Sequence, residues 1–345
     1  MFSKELLIVL GLFVGSCHSG LVDGVLAAID CTLVGFLNFV TEFNPNYANQ
    51  AEHDYRFSIF QQNCAELKQI IQSYQGSSCT FGFTKFMDRT KEEKARMTGG
   101  LMNPVNTPAP ASSTRTKRQS QAYFDWRNSN NVSPVRDQGN CGSCWAFGST
   151  AAVESQLLIH NHSNYVGLLG LYMNYPDQSE QELVSCVSGS NCGGGNVNAA
   201  LNYIKNNGQD TESSYPYATS NSACNPVASG KTKIISYWNV GTSEVNIANQ
   251  LLSTGPLILG LWLPPSFWYY KSGVYQPNAG DCVAGTNGHV MAVVGYNVTS
   301  GGTPYWIVKN SWGTSFGQSG YINWYFGNWF SGCIQFQGMT AVSTV

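Results

Sequence analysis

The sequence predicts an α+β protein with a helical lobe and a β-rich lobe, preceded by a separate helical segment. Segments with apolar residues at helical spacing dominate the chain up to about Asn206. Alternating and aromatic-rich segments dominate from Lys233 onward. A stretch rich in proline and serine, residues 103–118, divides the first helical segment from the rest. Two such lobes leave a cleft between them, which is a usual place for a binding site.

Residues 1–20 have the pattern of a secretory signal peptide. A lysine precedes the apolar run Leu6 to Val14, and small residues follow it. The run is shorter than the roughly 20 residues that span a bilayer. The next apolar stretch, Leu21 to Val40, is interrupted by Asp23 and Asp30, so we expect an amphipathic helix there. These features predict a soluble protein of the secretory pathway, lysosomal or extracellular, with no membrane partner.

Residues 21–118 are expected to form a removable segment. Helical spacing of apolar residues runs from Glu42 to Gln75, and the flexible linker 103–118 ends in the basic cluster Arg115 to Arg118. Exposed flexible linkers are where proteolysis concentrates. We therefore predict a mature domain over 119–345. No other basic block exists and the formal net charge is -2, so no nucleic-acid partner is expected.

Within the mature part, helices and then strands follow in order. A polar insertion is expected over His160 to Pro176, after the first helix. The predicted helices are Cys144 to about Ile159, Gln178 to Val187 and Asn196 to Asn206. The predicted strands are Thr232 to Trp238 and the hairpin of Val290 to Tyr296 with Pro304 to Asn310.

Eleven cysteines indicate an oxidising compartment. Seven of them follow the linker, and because seven is odd, three bridges leave one thiol over. That thiol has no function, forms an intermolecular disulfide or is a nucleophile. The sequence also contains three triplets that are candidate glycan acceptors, at Asn131, Asn161 and Asn297.

The Cys141-x-x-Cys144 pair has several interpretations: a redox pair, a zinc site completed by Cys186 and Cys192, or cysteines in disulfides. Secretion and the wide spacing of Cys186 and Cys192 argue against zinc, and we expect no metal and no cofactor. A redox domain would show a compact βαβ unit, whereas a long helical stretch follows here.

A nucleophilic Cys144 needs a base, because a free cysteine has a pKa of about 8.5. Of five histidines, only His289 lies beside an apolar strand-like run in the predicted mature domain. If the hairpin turns between Thr299 and Ser300, Asn310 lies opposite His289, to within a register slip, and can orient its ring. Trp312 could cover that contact. Gln138 can donate to an oxyanion, together with the Cys144 backbone N–H.

These residues resemble the papain family of cysteine proteases. Gln138 to Phe147 is similar to the family's nucleophile motif without a mismatch, and Asn310 to Thr314 resembles its asparagine motif. The N-terminal segment also resembles the propeptide of cathepsin L-like members. The residues that carry this second resemblance are Glu52, Arg56, Phe60 and Asn63, followed by Gly82, Thr84, Phe86 and Asp88.

The resemblance implies a papain-like two-lobed fold, with a helical left lobe and a β-barrel-like right lobe behind an inhibitory propeptide. It implies a cysteine endopeptidase made as a zymogen, in which Cys144, His289, Asn310 and Gln138 carry the chemistry. It also implies the bridges Cys141–Cys192, Cys186–Cys224 and Cys282–Cys333. Expected partners are protein and peptide substrates, the propeptide itself and cystatin-type inhibitors, and the protein is expected to be a monomer.

The implied substrate cleft is neutral, since Gly338 stands where cathepsin B-like enzymes carry a glutamate that accepts arginine. We therefore expect bulky apolar side chains at P2. The implied cleft residues are Gly194, Gly195, Asn196, Val197, Gly260, Asn287, Gly288, Val290, Trp312 and Gly338. The alternatives are a catalytically silent relative that acts as a binding protein, and a thiol–disulfide oxidoreductase that uses Cys141 and Cys144.

Overall fold

Helices come mostly before residue 255 and long strands mostly after residue 233. The computed structural model describes residues 19–101, 123–160, 175–227, 230–241, 243–327 and 333–344. The predictions on the signal peptide, the linker 103–118 and most of the 160–176 insertion lie outside these ranges. The helices are α1 (Ser19–Ala28), α2 (Leu33–Phe43), α3 (Gln50–Ser73), α4 (Lys91–Arg96), α5 (Cys144–His160), α6 (Glu180–Cys186), α7 (Val197–Asn207) and α8 (Glu244–Thr254).

The strands form one large mixed sheet and one small parallel pair. They are β1 (Cys79–Phe81), β2 (Gly100–Leu101), β3 (Phe124–Asp125), β4 (Gly195–Asn196), β5 (Ile234–Gly241), β6 (Leu257–Trp262), β7 (Tyr270–Tyr275), β8 (Gly288–Val298), β9 (Pro304–Lys309), β10 (Tyr321–Tyr325) and β11 (Ile334–Thr344). The large sheet has the order β1-β7-β10-β9-β8-β6-β11-β5, with β3 against β8. Because β1 and β5, the two end strands of this order, do not pair with each other, the expected barrel-like lobe is an open sheet over the described residues.

The helix expected over Leu21 to Val40 is two helices, α1 and α2. The chain turns at Asp30 and Thr32, where the Asp30 carboxylate accepts from the Thr32 N–H at 2.9 Å. The Thr32 hydroxyl then caps α2 by accepting from the Val34 N–H at 3.2 Å. Side chains of this kind compete with the helical backbone and so begin helices rather than continue them.

The N-terminal segment, residues 19–101, packs on the β lobe rather than standing apart. Its strand β1 joins the edge of the large sheet, antiparallel to β7. Phe86 packs edge-on against Trp268 and Trp312, with ring centroids 5.0 and 4.9 Å apart. One continuous buried core therefore holds aromatic residues of the N-terminal segment and of the sheet.

The helical lobe has a second core, built around α5. Trp145, Ala152 and Val153 of this helix pack with Leu201 and Ile204 of α7. Small residues fill the face of α5 that meets β8: a Cβ at Gly148 would lie 2.5 Å from Val290 Cγ1. The close approach brings the start of α5 beside β8, where the candidate nucleophile and base lie.

The predicted hairpin of β8 and β9 exists, and its register is slipped from the expected one. The Gly302 N–H donates to the Thr299 carbonyl at 2.9 Å, and the Thr299 N–H donates to the Thr303 carbonyl at 2.9 Å. The turn is therefore centred near residue 301, one to two residues later than expected. Because Ala292 pairs with Lys309, Asn310 lies level with residue 291 rather than with His289.

Candidate active site

Cys144 is the first residue of α5 and is fully buried. It has a free thiol, whereas Cys141 is bonded to Cys192 and so braces the turn before the helix. The Gly142 N–H donates to the Cys192 carbonyl at 2.8 Å and holds the same turn. The Cys141–Cys144 redox pair is therefore not formed in this structure, because Cys141 already has another partner.

His289 and Asn310 are in contact despite the shifted register. His289 Nε2 lies 2.8 Å from Asn310 Oδ1, and both side chains are buried. Because the amide oxygen only accepts, the imidazole carries its proton on Nε2. Nδ1 is then left with a lone pair, and this atom has no hydrogen-bond partner.

Trp312 covers this pair from the side, as expected. Its ring centroid lies 4.7 Å from that of His289, and it stacks at 4.6 Å on Trp268. Trp312 is fully buried, and Phe86 of the N-terminal segment covers one side of it, with ring centroids 4.9 Å apart. Water is thereby excluded from the His289–Asn310 hydrogen bond on this side.

The pKa values of the two reactive groups show the effect of burial. Burial raises the pKa of the Cys144 thiol to about 11, although the backbone N–H groups of Val290 and Gly100 lower it in part. Burial lowers the pKa of His289 to about 4, although the hydrogen bond with Asn310 raises it in part. At neutral pH this structure therefore holds a neutral thiol and a neutral imidazole.

Gln138 is held by three hydrogen bonds of its side chain. The Ser311 hydroxyl donates to its Oε1 at 2.7 Å, and its Nε2 donates to the Cys141 carbonyl at 2.8 Å. Nε2 also donates to the Met97 carbonyl of the N-terminal segment at 2.8 Å. The amide N–H that could bind an oxyanion thus already binds a carbonyl oxygen.

The end of the N-terminal segment crosses directly over Cys144. Strand β2 pairs in parallel with β4, and the Gly195 N–H donates to the Gly99 carbonyl at 3.1 Å. On the opposite side, the Gly99 N–H donates to the Gly288 carbonyl at 2.6 Å. A Cβ at Gly100 would lie 2.8 Å from Cys144 Sγ and 2.5 Å from Val290 Cγ2, so only glycine fits there.

Five of the expected cleft residues line one groove beside this crossing: Gly194, Gly195, Asn196, Asn287 and Gly288. Trp262, which the sequence analysis did not select, lines it as well. No charged side chain of the described residues lines this groove.

The remaining cleft predictions have different positions. Val197 and Val290 are buried, and Val290 pairs across the strands with Gly260. Gly338 lies on β11, where it pairs with Gly241. The N-terminal segment itself covers Val290, because a Cβ at Gly100 would lie 2.5 Å from Val290 Cγ2.

Four disulfides are present in the described part of the chain. Three are the pairs that the resemblance implied: Cys141–Cys192, Cys186–Cys224 and Cys282–Cys333. The fourth, Cys31–Cys64, ties the start of α2 to α3, a pairing that the sequence does not predict.

The three candidate glycan sites differ in position. Asn131 is only 8% exposed, and Ser133 of the same triplet is buried and accepts a 2.9 Å hydrogen bond from Lys309 Nζ. The structure disfavours Asn131 as a glycan site, because a glycan needs a surface position. Asn297 is half-buried on β8, and Asn161 lies outside the described residues.

Within the described ranges, no group of histidine, cysteine or acidic residues could hold a metal ion. None of the helices described there combines the length and apolar character needed to cross a membrane.

Comparisons with known proteins agree with this arrangement. Residues 120–336 match the papain family cysteine protease profile, and residues 36–93 match the cathepsin propeptide inhibitor domain. The chain is 35% identical over 300 residues to digestive cysteine proteinase 2 of Homarus americanus, covering 83% of this chain and 87% of that protein. It is 34% identical to a cathepsin L-like proteinase of Fasciola hepatica, covering 81% and 84%. The solved digestive procathepsin L2 of Tenebrio molitor superposes with a TM-score of 0.75 at 31% identity, covering 89% of this chain and 98% of that structure.

Proposed function

Because this chain belongs to the papain family of cysteine proteases, we propose that it is an endopeptidase in which Cys144 attacks the scissile carbonyl. His289 shuttles the proton, Asn310 orients His289, and Gln138 with the Cys144 backbone N–H stabilises the oxyanion. The observation that carries this proposal is the 2.8 Å contact between His289 Nε2 and Asn310 Oδ1, which leaves Nδ1 free to act as the base.

The protein is a zymogen with its own propeptide, the N-terminal segment. We propose that the propeptide spans 21–118 and the mature enzyme 119–345, after removal of a signal peptide over 1–20. The parallel pairing of β2 with β4 supports inhibition by a backbone that lies in the cleft. The Met97 carbonyl accepts a hydrogen bond from Gln138 Nε2, and Gly100 lies over Cys144 Sγ. Substrate is therefore kept from the proposed oxyanion donor and from the nucleophile.

Opening of the cleft would change the charge state of the site. The buried thiol and imidazole are neutral while the propeptide covers them, because burial disfavours both charged forms. Once the propeptide leaves, water enters and the proton can pass from the Cys144 thiol to His289. The thiolate formed is the nucleophile, and the start of α5 stabilises its negative charge.

We further propose that the enzyme prefers bulky apolar side chains at P2. The uncharged groove of Asn196, Asn287 and Trp262 supports this, because no carboxylate is present to hold arginine. We also propose that the enzyme acts in the lysosome or outside the cell, is monomeric and binds cystatin-type inhibitors. Its similarity to a digestive cysteine proteinase supports a location outside the cell.

The test is hydrolysis of dipeptidyl amides after activation at acid pH. The wild type is expected to cleave a substrate with phenylalanine at P2 faster than one with arginine there. Cys144→Ala and His289→Ala are expected to abolish cleavage, whereas His160→Ala, at the exposed end of α5, should leave it unchanged. Cleavage that survives Cys144→Ala would refute the proposal, and a wild type that only binds the peptide would favour the silent relative.

The P2 preference has its own test in Gly338→Glu. This variant adds an acid where the family resemblance puts the base of the pocket, so it should raise cleavage of the substrate with arginine at P2. An unchanged preference would show that Gly338 does not face the P2 side chain.

A further inference from the structure

The Tyr217 hydroxyl contacts both Gln138 and Ser143, two residues at the proposed oxyanion site. Its hydroxyl is 2.9 Å from the Gln138 carbonyl oxygen and 2.6 Å from Ser143 Oγ. Gln138 supplies one oxyanion donor through its side chain, and Ser143 immediately precedes Cys144, which supplies the other through its backbone N–H. One phenol group therefore contacts the backbone of the first donor residue and the residue next to the second.

The direction of both hydrogen bonds follows from their chemistry. A carbonyl oxygen only accepts, so the single phenolic hydrogen of Tyr217 is donated to Gln138. Ser143 Oγ–H must then donate to the Tyr217 oxygen. Burial raises the pKa of Tyr217 far above its ordinary value, so the phenol keeps its hydrogen at neutral and acid pH.

Other contacts hold Tyr217 in place independently of its hydroxyl. Its backbone N–H donates to Glu212 Oε1 at 2.7 Å, and the Ala218 N–H donates to Gln181 Oε1 at 2.8 Å. Its ring packs edge-on against Phe147 of α5, with centroids 4.9 Å apart. Removing the hydroxyl alone should therefore leave the ring and the loop where they are.

We propose that Tyr217 is a positioning residue for the peptidase reaction: its hydroxyl sets the spacing between Gln138 and the turn that ends at Cys144. This proposal rests on the proposed function. Removing one oxyanion donor outright typically lowers kcat by about 10²–10³. Tyr217 holds the donors rather than being one, so we expect Tyr217→Phe to lower kcat by about tenfold.

The experiment compares Tyr217→Phe with Tyr215→Phe in the activated enzyme. Tyr215 is a matched control, because within the described ranges its hydroxyl bonds to the Ala223 carbonyl and the Asn225 N–H, at 2.7 and 3.2 Å, away from Gln138 and Cys144. Tyr217→Phe should lower kcat and leave KM unchanged, whereas Tyr215→Phe should leave both unchanged.

Two further readouts separate positioning from a general structural effect. A peptide aldehyde adds the Cys144 sulfur to its carbonyl carbon, while the carbonyl oxygen takes up the proton and occupies the oxyanion site. Its affinity should fall by the same factor as kcat/KM in Tyr217→Phe. The rate at which iodoacetamide alkylates Cys144 should not change, because alkylation develops no charge at that site.

Ser143→Ala provides an internal check. If Ser143 acts through Tyr217, the double variant should be no slower than the slower single variant, because both changes remove the same bridge. Additive losses of rate in the double variant would contradict the hydrogen-bonded bridge from Ser143 through Tyr217 to Gln138.

The proposal is overturned if Tyr217→Phe retains kcat within twofold, or if kcat, KM, alkylation rate and Tm all change together. A wild type without hydrolysis would overturn the proposed function and this role with it. An active wild type with an unaffected Tyr217→Phe would overturn the role of Tyr217 alone.

Discussion

Adding one methyl group at Gly100 should open the zymogen. The alanine Cβ would lie 2.8 Å from Cys144 Sγ and 2.5 Å from Val290 Cγ2, both closer than real Cβ contacts. Val290 lies on β8, is fully buried and belongs to the core around α5. Overpacking of this kind costs about 1–3 kcal/mol, which corresponds to a rise of about 5- to 150-fold in the open fraction.

The assay is the rate at which iodoacetamide alkylates Cys144 in the intact proenzyme at neutral pH, read by peptide mapping. The covered thiol stays neutral because burial raises its pKa to about 11, so alkylation reports opening. The matched control is Gly24→Ala in α1, because a Cβ there meets nothing within 4 Å. Equal alkylation rates for Gly100→Ala and Gly24→Ala would refute the close contact over Cys144.

Two more predictions concern pH and the disulfide of the propeptide. Burial lowers the pKa of His289 to about 4, so the closed form binds fewer protons than an open form with the ordinary value of 6.5. The difference in proton binding at His289 therefore favours the closed form fully above about pH 6.5. As the pH falls from 6.5 towards 4, the equilibrium constant for closure decreases by up to about tenfold per pH unit. In an inactive Cys144→Ala proenzyme, the opening equilibrium measured by hydrogen exchange at Gly99 and Gly100 should show this pH dependence. The same pH dependence after adding His289→Gln would contradict it. Cys31→Ala removes a disulfide between residues 33 positions apart. The free energy of unfolding in the first urea transition of the same proenzyme should therefore fall by about 3–4 kcal/mol, and an unchanged midpoint would contradict this.

The candidate site residues could be selected because each has a chemical requirement visible in the sequence. The odd number of cysteines after the linker left one thiol, and only His289 lay next to an apolar strand. Asn310 was found through a hairpin whose turn was predicted one to two residues too early. The contact still forms, since the asparagine and histidine side chains reach diagonally across neighbouring strands.

What the sequence did not predict depends on parts of the chain that meet only in the fold. No local pattern indicates a role for Gly99 and Gly100, whose missing Cβ atoms become necessary only where β2 lies beside β4 and over Cys144. Trp262 lines the groove because the end of β6 lies beside Asn287, which no local pattern indicates. Likewise, Ser311 and Tyr217 act on Gln138 from positions more than 70 residues away in the chain.

The most direct test of Cys144 as the nucleophile is to trap its covalent intermediate. The activated enzyme is mixed with a peptide ester, quenched in acid within milliseconds, and digested for mass spectrometry. A thioester intermediate should add the mass of one acyl group to the peptide that contains Cys144. Asn310→Ala should form this adduct more slowly, and Cys144→Ala should not form it. An active enzyme with no adduct, or with the acyl group on another residue, would contradict the proposed mechanism.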